Sequence, residues 1–392
     1  MMRDVAIIGA GMHPFGKFPE KNLKELSMPA ITDAAKDAGI SLKDIEAAYI
    51  GNSYAGLISG QESVRGQTIT RYCGMDGIAV VNVENACASG TTAVREAYIA
   101  VAAGVYDMVL AVGVEKLFCG DTGRSISALA TGADIEITAD TGFQFTGVYA
   151  MKARDYMLKY GATAEDFARV VVKNSQNSSQ NPYAQFKKPI TIEQVVNSKM
   201  ICDPLTLYMC SSMADGAGAV IICSAEKARQ YTTKPVFIKG SALRSGMYQD
   251  PAKDPISTVA LTSKEVYEKT GIGPDSIDFI EVHDAAAPAE FDHCEDLGFC
   301  AKGTAFQLIK EGKFDRTGDL PVNPTGGLIG KGHPVGATGL AQTVDIVWQL
   351  RGESGANQIM KNGQPPKVGL ALNTGGRVDD DRAAIAVHVY SR

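Results

Sequence analysis

The chain has 392 residues, 45% of them hydrophobic, with 41 glycines, eight cysteines and a formal net charge of −6 at pH 7. The acidic balance and the lack of any Lys/Arg run argue against nucleic acid as a partner. Because no C-x-x-C pair occurs, the cysteines predict neither a disulfide framework nor a zinc site, but reduced thiols in a cytoplasmic protein. The length predicts two or three domains, and the glycine-rich apolar composition favours an α/β fold.

We expect neither a secretory signal at the N-terminus nor a membrane span at 97–114. A strand is predicted at 5–9, without the basic and apolar regions of a secretory signal before it. Residues 97–114 are nearly all apolar, but Asp107 interrupts them. A buried helix followed by a buried strand therefore fits this stretch better than a membrane span.

Cys87 lies in the segment Asn-Ala-Cys-Ala-Ser-Gly, between a predicted buried strand (78–83) and a predicted helix (91–103). Free N–H groups and the positive end of the helix dipole at this place favour thiolate over thiol. The small neighbouring side chains leave room for a substrate to reach the sulfur, as a covalent nucleophile requires. The alternative is a small buried cysteine that fills a gap between strand and helix.

Two of the five histidines and one glycine turn offer partners for this thiol. His283 ends the apolar run 277–282, and His333 lies in the glycine-rich stretch 326–339. Either histidine alone could be a structural hydrogen-bonding residue. The turn Asn-Thr-Gly-Gly at 373–376 could present backbone N–H groups to an oxyanion, or merely reverse the chain.

The order of predicted elements is repeated. In each half a functional helix lies between the second and third strands, so Cys87 and His333 take equivalent positions at the starts of two helices. Residues 117–207 have no counterpart in the second half and carry helical patterns at 151–160 and 164–174. The predicted strands are 5–9, 47–51, 108–112 and 217–222 in the first half, and 236–240, 277–282, 368–372 and 383–389 in the second.

Together these motifs resemble the thiolase family over essentially the whole chain. The run Gly-His-Pro-Val-Gly-Ala-Thr-Gly at 332–339 fits the pattern G-H-P-x-G-x-[ST]-G without a gap, and His283-Asp284 is similar to the sterol-carrier-protein and archaeal types. The resemblance implies an α/β thiolase fold, with two pseudo-symmetric βαβαβαββ halves in a five-layer αβαβα sandwich. The implied division is 1–116 with 208–230 for the N-terminal half, 117–207 for an inserted loop domain that covers the site and holds the CoA tail, and 231–392 for the C-terminal half.

The resemblance also implies roles for individual residues. Cys87 is the expected nucleophile towards a β-ketoacyl-CoA and His333 its base, while His283 polarises the carbonyl oxygen of the departing acyl-CoA. Backbone N–H groups of Cys87 and Gly375 are expected to hold the oxyanion, and Asn323 and Asn373 to support the catalytic groups. Coenzyme A enters as a substrate; no permanently bound cofactor and no metal are expected, and the residues that contact CoA are left open.

Two departures from the family pattern affect the mechanism. Asn373 stands where most thiolases carry a second, acid/base cysteine, and Ala285 stands where sterol-carrier-protein relatives can carry one. Something other than a cysteine must therefore move the proton at the α-carbon, or that proton needs little help to move. The remaining set, Cys87, His283 and His333, resembles that of ketoacyl synthases. A condensing enzyme of that type and a poorly active, partner-dependent subunit are therefore the alternatives.

The resemblance further implies partners. A homodimer or a dimer of dimers is expected, and archaeal-type thiolases often work with a small zinc-ribbon/OB-fold protein. Benzoylsuccinyl-CoA thiolase subunits are among the types that the chain resembles, which leaves an aryl substrate open.

Six side chains in the second half could in principle bind a metal ion. Their spacing fits no zinc motif, however, so we interpret them as an acidic helix face exposed to solvent. The other histidines are interpreted as structural or surface residues. The six side chains are His283, Asp284, Glu290, Asp292, His293 and Glu295, and the other histidines are His13, His293 and His388.

Overall fold

The computed structural model describes residues 2–232, 234–250, 252–253 and 255–392. The strands are β1 (Val5–Gly16), β2 (Ala47–Gly51), β3 (Ala79–Val83), β4 (Met108–Glu115), β5 (Met200–Cys202), β6 (Leu205–Thr206), β7 (Asp215–Ser224), β8 (Val236–Arg244), β9 (Phe279–Glu281), β10 (Val368–Gly375) and β11 (Ala384–Ser391). The helices before β7 are α1 (Leu23–Ala38), α2 (Ala55–Ser59), α3 (Arg65–Tyr72), α4 (Ser89–Ala102), α5 (Thr122–Ala130), α6 (Ile135–Thr138), α7 (Phe145–Tyr160), α8 (Ala164–Ser179) and α9 (Ile192–Val196). Those after β7 are α10 (Ala225–Ala228), α11 (Thr258–Thr270), α12 (Ala287–Asp296), α13 (Ala305–Lys310), α14 (Gly327–Lys331) and α15 (Val335–Arg351).

Nine strands hydrogen-bond in the order β3-β2-β4-β7-β1-β8-β11-β10-β9, and β5 pairs with β6 in a separate hairpin. The parallel pairs β2·β3, β2·β4 and β9·β10 lie towards the two ends of the sheet, and antiparallel strands occupy its middle. Within the described residues, strands β1 and β8 pair at two positions, Ala6 and Ile7, and this short ladder links the two half-sheets. The strand order therefore divides naturally into two related parts.

The two parts repeat one pattern, as the sequence predicts. In the first, β3 lies beside β2 and leads into the Cys87 turn and α4. In the second, a single bridge between Ile280 and Val322 takes the place of β3, and the chain then leads to His333 and α15. The large α/β sheet agrees with the predicted thiolase fold.

Three hydrophobic cores explain the layers. One core lies between the two half-sheets and includes apolar side chains of α4 and α15. A second covers the outer face of the first half with α1, and a third covers the outer face of the second half with α8, α11 and α12. Because both faces of each half-sheet are covered, a strand such as β4 is buried along its whole length and reads as a continuous apolar run.

The two central helices approach closely because glycines line their contact. A Cβ on Gly90 would lie 2.8 Å from both the carbonyl oxygen of Gly336 and the amide nitrogen of Leu340. A Cβ on Gly339 would lie 1.8 Å from Thr91 Oγ1 and 2.8 Å from its amide nitrogen. Since even a methyl group meets backbone atoms, only glycine permits this approach.

The helices between β4 and β7 are attached to the second half by buried hydrogen bonds. Lys173 donates to the carbonyl oxygen of Val322 at 2.6 Å, and Asn177 to that of Asn323 at 3.0 Å. Asn181, which follows α8, donates to the carbonyl oxygen of Thr325 at 3.0 Å. The domain division stated above stays a prediction, but these bonds connect α8 directly to the loop before His333.

One sequence interpretation is wrong in this region. The acidic residues in and before α12 do not form a solvated face: Asp284 and Glu290 are fully buried, and Glu290 pairs with Lys173 at 3.1 Å. Helix α12 packs against α8 and α11, which hydrophobic periodicity alone does not reveal. The remaining histidines, His13, His293 and His388, interpreted above as structural or surface residues, are all buried.

The apolar stretch at 97–114 forms the end of α4 and most of β4. Within the described part of the chain, no helix combines the length and apolar character that crossing a bilayer requires.

We predict that Gly339→Ala lowers the free energy of unfolding by about 1–3 kcal/mol, because the methyl group overlaps Thr91 in the central contact. Gly147→Ala in α7 is the matched control, since a Cβ there meets nothing within 4 Å and the change restricts only the unfolded chain. Denaturant titration measures both. Equal stability of the two variants would contradict the proposed importance of the contact.

Candidate active site

Cys87 lies in a single 3-10 turn, Ala86–Ala88, at the point where β3 leads into α4. Two bonds of the Ser89 hydroxyl tighten this turn: it accepts from the amide of Asn85 at 2.9 Å and donates to the carbonyl oxygen of Ala86 at 2.6 Å. Ala86 has a positive φ of 47°, so the backbone is strained here. The turn exposes the side chain of Cys87 to a cavity rather than to the core.

His333 lies between α14 and α15, and its backbone N–H donates to the carbonyl oxygen of Ser212 at 2.9 Å. Its Nδ1 is 2.7 Å from Thr338 Oγ1, one turn into α15. The Thr338 hydroxyl donates to the carbonyl oxygen of Pro334 at 3.1 Å. Since a hydroxyl has one hydrogen, Thr338 accepts from Nδ1–H, which leaves Nε2 of His333 as the basic nitrogen.

His283 follows β9, and its ring centre is 5.2 Å from that of His333, with the ring planes at 80°. The next residue, Asp284, accepts from the amide of Leu328 at 2.7 Å at the start of α14, which leads to His333. Cys87, His283 and His333 each place a side-chain S or N atom within 4.8 Å of the other two. The structure therefore brings together the three side chains that the sequence singled out.

These groups line a cavity of about 160 Å³ that is apolar on one side. Its lining residues are Tyr54, Cys87, Leu129, Phe145, Thr146, Val148, Tyr149, Lys152, Cys210, Ser211, His283, Ala285, His333, Thr374, Gly376, Arg377 and Arg382. A thiol and two imidazoles are also a donor set that zinc-like ions accept. It is the one such group of three that the described residues contain, and the absence of a metal stays a prediction.

Burial keeps the resting site uncharged. It raises the pKa of the Cys87 thiol to about 12, although the N–H groups of Gly376 and Cys87 itself lower it. Burial lowers the pKa of His333 to about 3. The backbone N–H groups at the helix start thus lower the pKa in the expected direction, but the loss of water outweighs them, so the thiol is favoured over the expected thiolate.

The pKa of His283 is also lowered, first by burial and then by electrostatic interaction with His333 and Arg382, while contact with Asn373 raises it. Asn373 is buried and donates to Gln342 Oε1 at 2.9 Å. Asn323 accepts from the amide of Val282, directly before His283, at 2.8 Å. Both asparagines therefore lie beside the segment that carries His283, and their supporting role stays a prediction.

The glycine turn packs its backbone against the Cys87 turn. A Cβ on Gly375 would lie 2.1 Å from the carbonyl oxygen of Asn85 and 2.9 Å from the amide nitrogen of Cys87. The oxyanion role of Gly375 stays a prediction. The N–H group that contacts the thiol belongs to the next residue, Gly376, whose φ is 59°.

Sequence reasoning missed Cys210, a second thiol in this cavity. Its backbone bridges to Ala286, and the following residue, Ser211, donates to the carbonyl oxygen of Ala285 at 2.9 Å. Cys210 thus lies against the position where related proteins can carry a cysteine. Burial raises the pKa of its thiol to about 11. It lies in no recognisable motif, so only the fold reveals it.

Glu115 at the end of β4 is a second residue that the sequence did not indicate. Its buried carboxylate accepts from the amides of Gly336, Ser53 and Tyr54 at 2.9–3.2 Å and from Asn52 Nδ2 at 3.0 Å. Burial raises its pKa to about 7 in spite of these donors. Glu115 therefore ties the start of α15 to the first half of the chain.

We predict that alkylation of Cys87 by iodoacetamide accelerates about tenfold per pH unit from pH 7 to 10 without levelling off, because only the thiolate reacts and the pKa is high. Mass spectrometry of the Cys87 peptide measures the rate, and an added peptide thiol, which levels off near its ordinary pKa, is the reference. A plateau below pH 8 would instead show a resting thiolate–imidazolium pair.

Comparison with known proteins follows the same division of the chain. Residues 5–226 match the family model "Thiolase, N-terminal domain", and residues 245–388 match "Thiolase C-terminal domain-like". The chain is 41% identical to an acetyl-CoA acetyltransferase of Methanothermobacter thermautotrophicus, with all of both chains covered. It is 37% identical to the benzoylsuccinyl-CoA thiolase subunit BbsB of Thauera aromatica over 95% of each chain. It is 36% identical to sterol carrier protein 2 of Bos taurus, over 95% of this chain and 70% of the relative.

Solved structures agree with this result. The Ltp2-ChsH2(DUF35) aldolase superposes with a TM-score of 0.80 at 27% identity, covering 99% of this chain and 98% of that one. Human mitochondrial 3-ketoacyl-CoA thiolase has a TM-score of 0.75 at 18% identity, over 99% and 98%, and shows the same fold. The chain belongs to the thiolase family and is a thiolase-type acyltransferase.

Proposed function

We propose that the protein cleaves a β-ketoacyl-CoA with free coenzyme A, or runs the reverse Claisen condensation, through an acyl group held on Cys87. One observation carries this proposal: a thiol and two imidazoles lie within 4.8 Å of one another in a cavity that admits a substrate. A covalent mechanism needs this pairing of nucleophile and base.

In the first step His333 Nε2 takes the proton of Cys87 as the sulfur attacks the ketone carbonyl. The raised pKa of Cys87 and the lowered pKa of His333 support proton transfer during the attack rather than before it, since burial keeps both groups neutral. The oxyanion that forms accepts from backbone N–H groups of the glycine turn, Gly375 and Gly376, and of Cys87. A shorter acyl group then remains on the sulfur as a thioester.

The departing fragment leaves as the enolate of a shorter acyl-CoA, which must be stabilised and protonated. His283, jointly with His333, polarises its carbonyl oxygen, and Asn373 orients His283. Cys210 protonates the α-carbon and becomes a thiolate, which then takes the thiol proton of the incoming CoA. The CoA sulfur attacks the thioester on Cys87, and the released Cys87 sulfur recovers its proton from His333. The support for Cys210 is its place in the same cavity, next to Ala285, where a sterol-carrier-protein-type cysteine would lie.

Coenzyme A would reach this site through an adjoining cavity of about 890 Å³ that shares Cys210 and Ser211 with the catalytic one. Lys187 and Lys188 line that cavity and suit the phosphates, while the half-exposed ring of Tyr208 suits the adenine. No cofactor is permanently bound in this proposal.

The proposed assembly is a homodimer or dimer of dimers, with a zinc-ribbon/OB-fold protein as a further partner, in the cytoplasm. Strand β3 ends the sheet and exposes side chains on both faces, which supports pairing with a second subunit. A relative that is named a thiolase subunit and a neighbour that contains ChsH2(DUF35) support a hetero-complex.

We expect Cys87→Ser to abolish CoA-dependent cleavage of a β-ketoacyl-CoA panel, and His333→Ala to lower kcat by about 10²–10⁴-fold through loss of the general base. Ultraviolet absorbance of the β-ketothioester follows the reaction, with and without the zinc-ribbon protein. Undiminished turnover of either variant would refute its role. Turnover that requires a malonyl donor would instead identify a ketoacyl-synthase-type condensing enzyme.

We expect Cys210→Ala to slow exchange of the α-protons of acetyl-CoA with deuterated water by about 10²-fold or more, because the acid/base thiol is lost. Mass spectrometry of recovered acetyl-CoA measures the exchange. Cys300→Ala is the matched control, since that partly buried thiol lies outside the cavity. Equal exchange by the two variants would exclude Cys210 as the proton carrier.

A further inference from the structure

The catalytic cavity has an uneven charge. Among its lining residues are three permanent or near-permanent cations, Lys152, Arg377 and Arg382, but no aspartate or glutamate. The remaining wall of the same cavity is apolar and includes Leu129, Phe145 and other side chains of α5 and α7. A small cavity with apolar walls whose charged side chains are all cations suits a ligand that combines an apolar group with a negative charge.

These cations lack close counter-ions. In the described part of the chain, no carboxylate oxygen lies within 4.0 Å of the side-chain nitrogens of Lys152 or Arg382. Arg377 has one ion pair, a 3.4 Å contact with Asp380, whose side chain is 80% exposed. Such an exposed pair contributes little. Apart from this exposed pair, the protein offsets the positive charge in the cavity only through longer-range interactions, such as those of Asp292 and Asp296 with Lys152.

The electrostatic effects of these groups on one another agree with that description. The charge of Arg382 is the main cause that lowers the pKa of Lys152 to about 8, with burial second and Arg377 adding to it. Asp292 raises the pKa of Lys152, but Asp292 is not one of the residues that line the cavity. Crowded cations in a partly dry site are unfavourable unless a ligand supplies the missing negative charge.

We propose that the acyl group of the natural substrate carries a carboxylate, which Arg382 and Lys152 bind directly and Arg377 attracts. This inference rests on the proposed thiolase function, since it specifies the substrate class of that same site. Arginine binds a carboxylate through two parallel hydrogen bonds, and the apolar wall accommodates the intervening carbon chain or ring.

Coenzyme A itself is the other source of anions, but its phosphates do not suit these three residues. The pantetheine arm separates the phosphates from the reacting sulfur by many bonds, whereas the cations share a cavity of about 160 Å³ with the Cys87 thiol. When the CoA thioester of the substrate lies at Cys87, the CoA phosphates are too far away to reach Arg382. An anion on the acyl group is close enough to do so.

A matched pair of substrates tests the inference. We compare kcat/KM for 3-oxohexanoyl-CoA and 3-oxoadipyl-CoA, which have equal chain lengths and differ by a terminal carboxylate. The wild-type protein should prefer the carboxylated substrate, and Arg382→Gln or Lys152→Gln should lower the preference ratio by about 10- to 100-fold. Arg382→Lys, which keeps the charge, should retain part of it.

Arg154→Gln is the matched control, because Arg154 lies on α7 like Lys152 but outside the cavity, and pairs with Asp203 on the surface. Its ratio should equal that of the wild type. Cleavage of the neutral substrate as fast as the carboxylated one would overturn this inference and leave the proposed function intact. Failure of both substrates would overturn both. An equal loss for both substrates in Arg382→Gln, with a raised KM for CoA, would assign the cations to CoA phosphate and also overturn it.

Discussion

The close contact between α4 and α15 determines where the catalytic groups meet. Cys87 begins one helix and His333 precedes the other, so a wider spacing of the helices would separate thiol and imidazole. Gly90 and Gly339 let the backbones of the two helices touch, and the buried carboxylate of Glu115 fastens the start of α15 to the first half. The active site is thus a product of packing between two halves, neither of which contains a complete set of catalytic groups.

The same packing explains the electrostatics of the site. Removing water from the junction of the halves leaves the thiol and both imidazoles neutral, as the raised pKa of Cys87 and the lowered pKa of His333 indicate. The positive charges of the cavity belong instead to Lys152, Arg377 and Arg382. Under the two proposals, a neutral reaction centre beside a cationic wall separates two tasks: bond rearrangement at the Cys87 sulfur, and orientation of a charged acyl group.

Part of this arrangement could be predicted because its signals are local. Cys87 lies at a strand-to-helix junction, and His333 lies in a continuous motif, so both could be named from neighbouring residues. Cys210 and Glu115 have no such signal, since only the folded chain brings Cys210 to the cavity and Glu115 to the start of α15. The burial of α12 was misjudged for the same reason: its acidic residues find Lys173 and other partners far away in the sequence. The three cations likewise come from α7 and the β10–β11 turn, and they gather only in three dimensions.

The attachment of α8 affects how a substrate can enter. Lys173, Asn177 and Asn181 each bind a backbone carbonyl of the loop at 322–325, and that loop leads to His333. Moving α8 outwards would leave several buried polar groups without hydrogen-bond partners at once. It would also move the loop that leads to His333, the proposed base. Under the proposed function, acyl-CoA therefore enters through the cavity lined by Lys187 and Lys188 rather than by outward movement of α8 as a hinged lid.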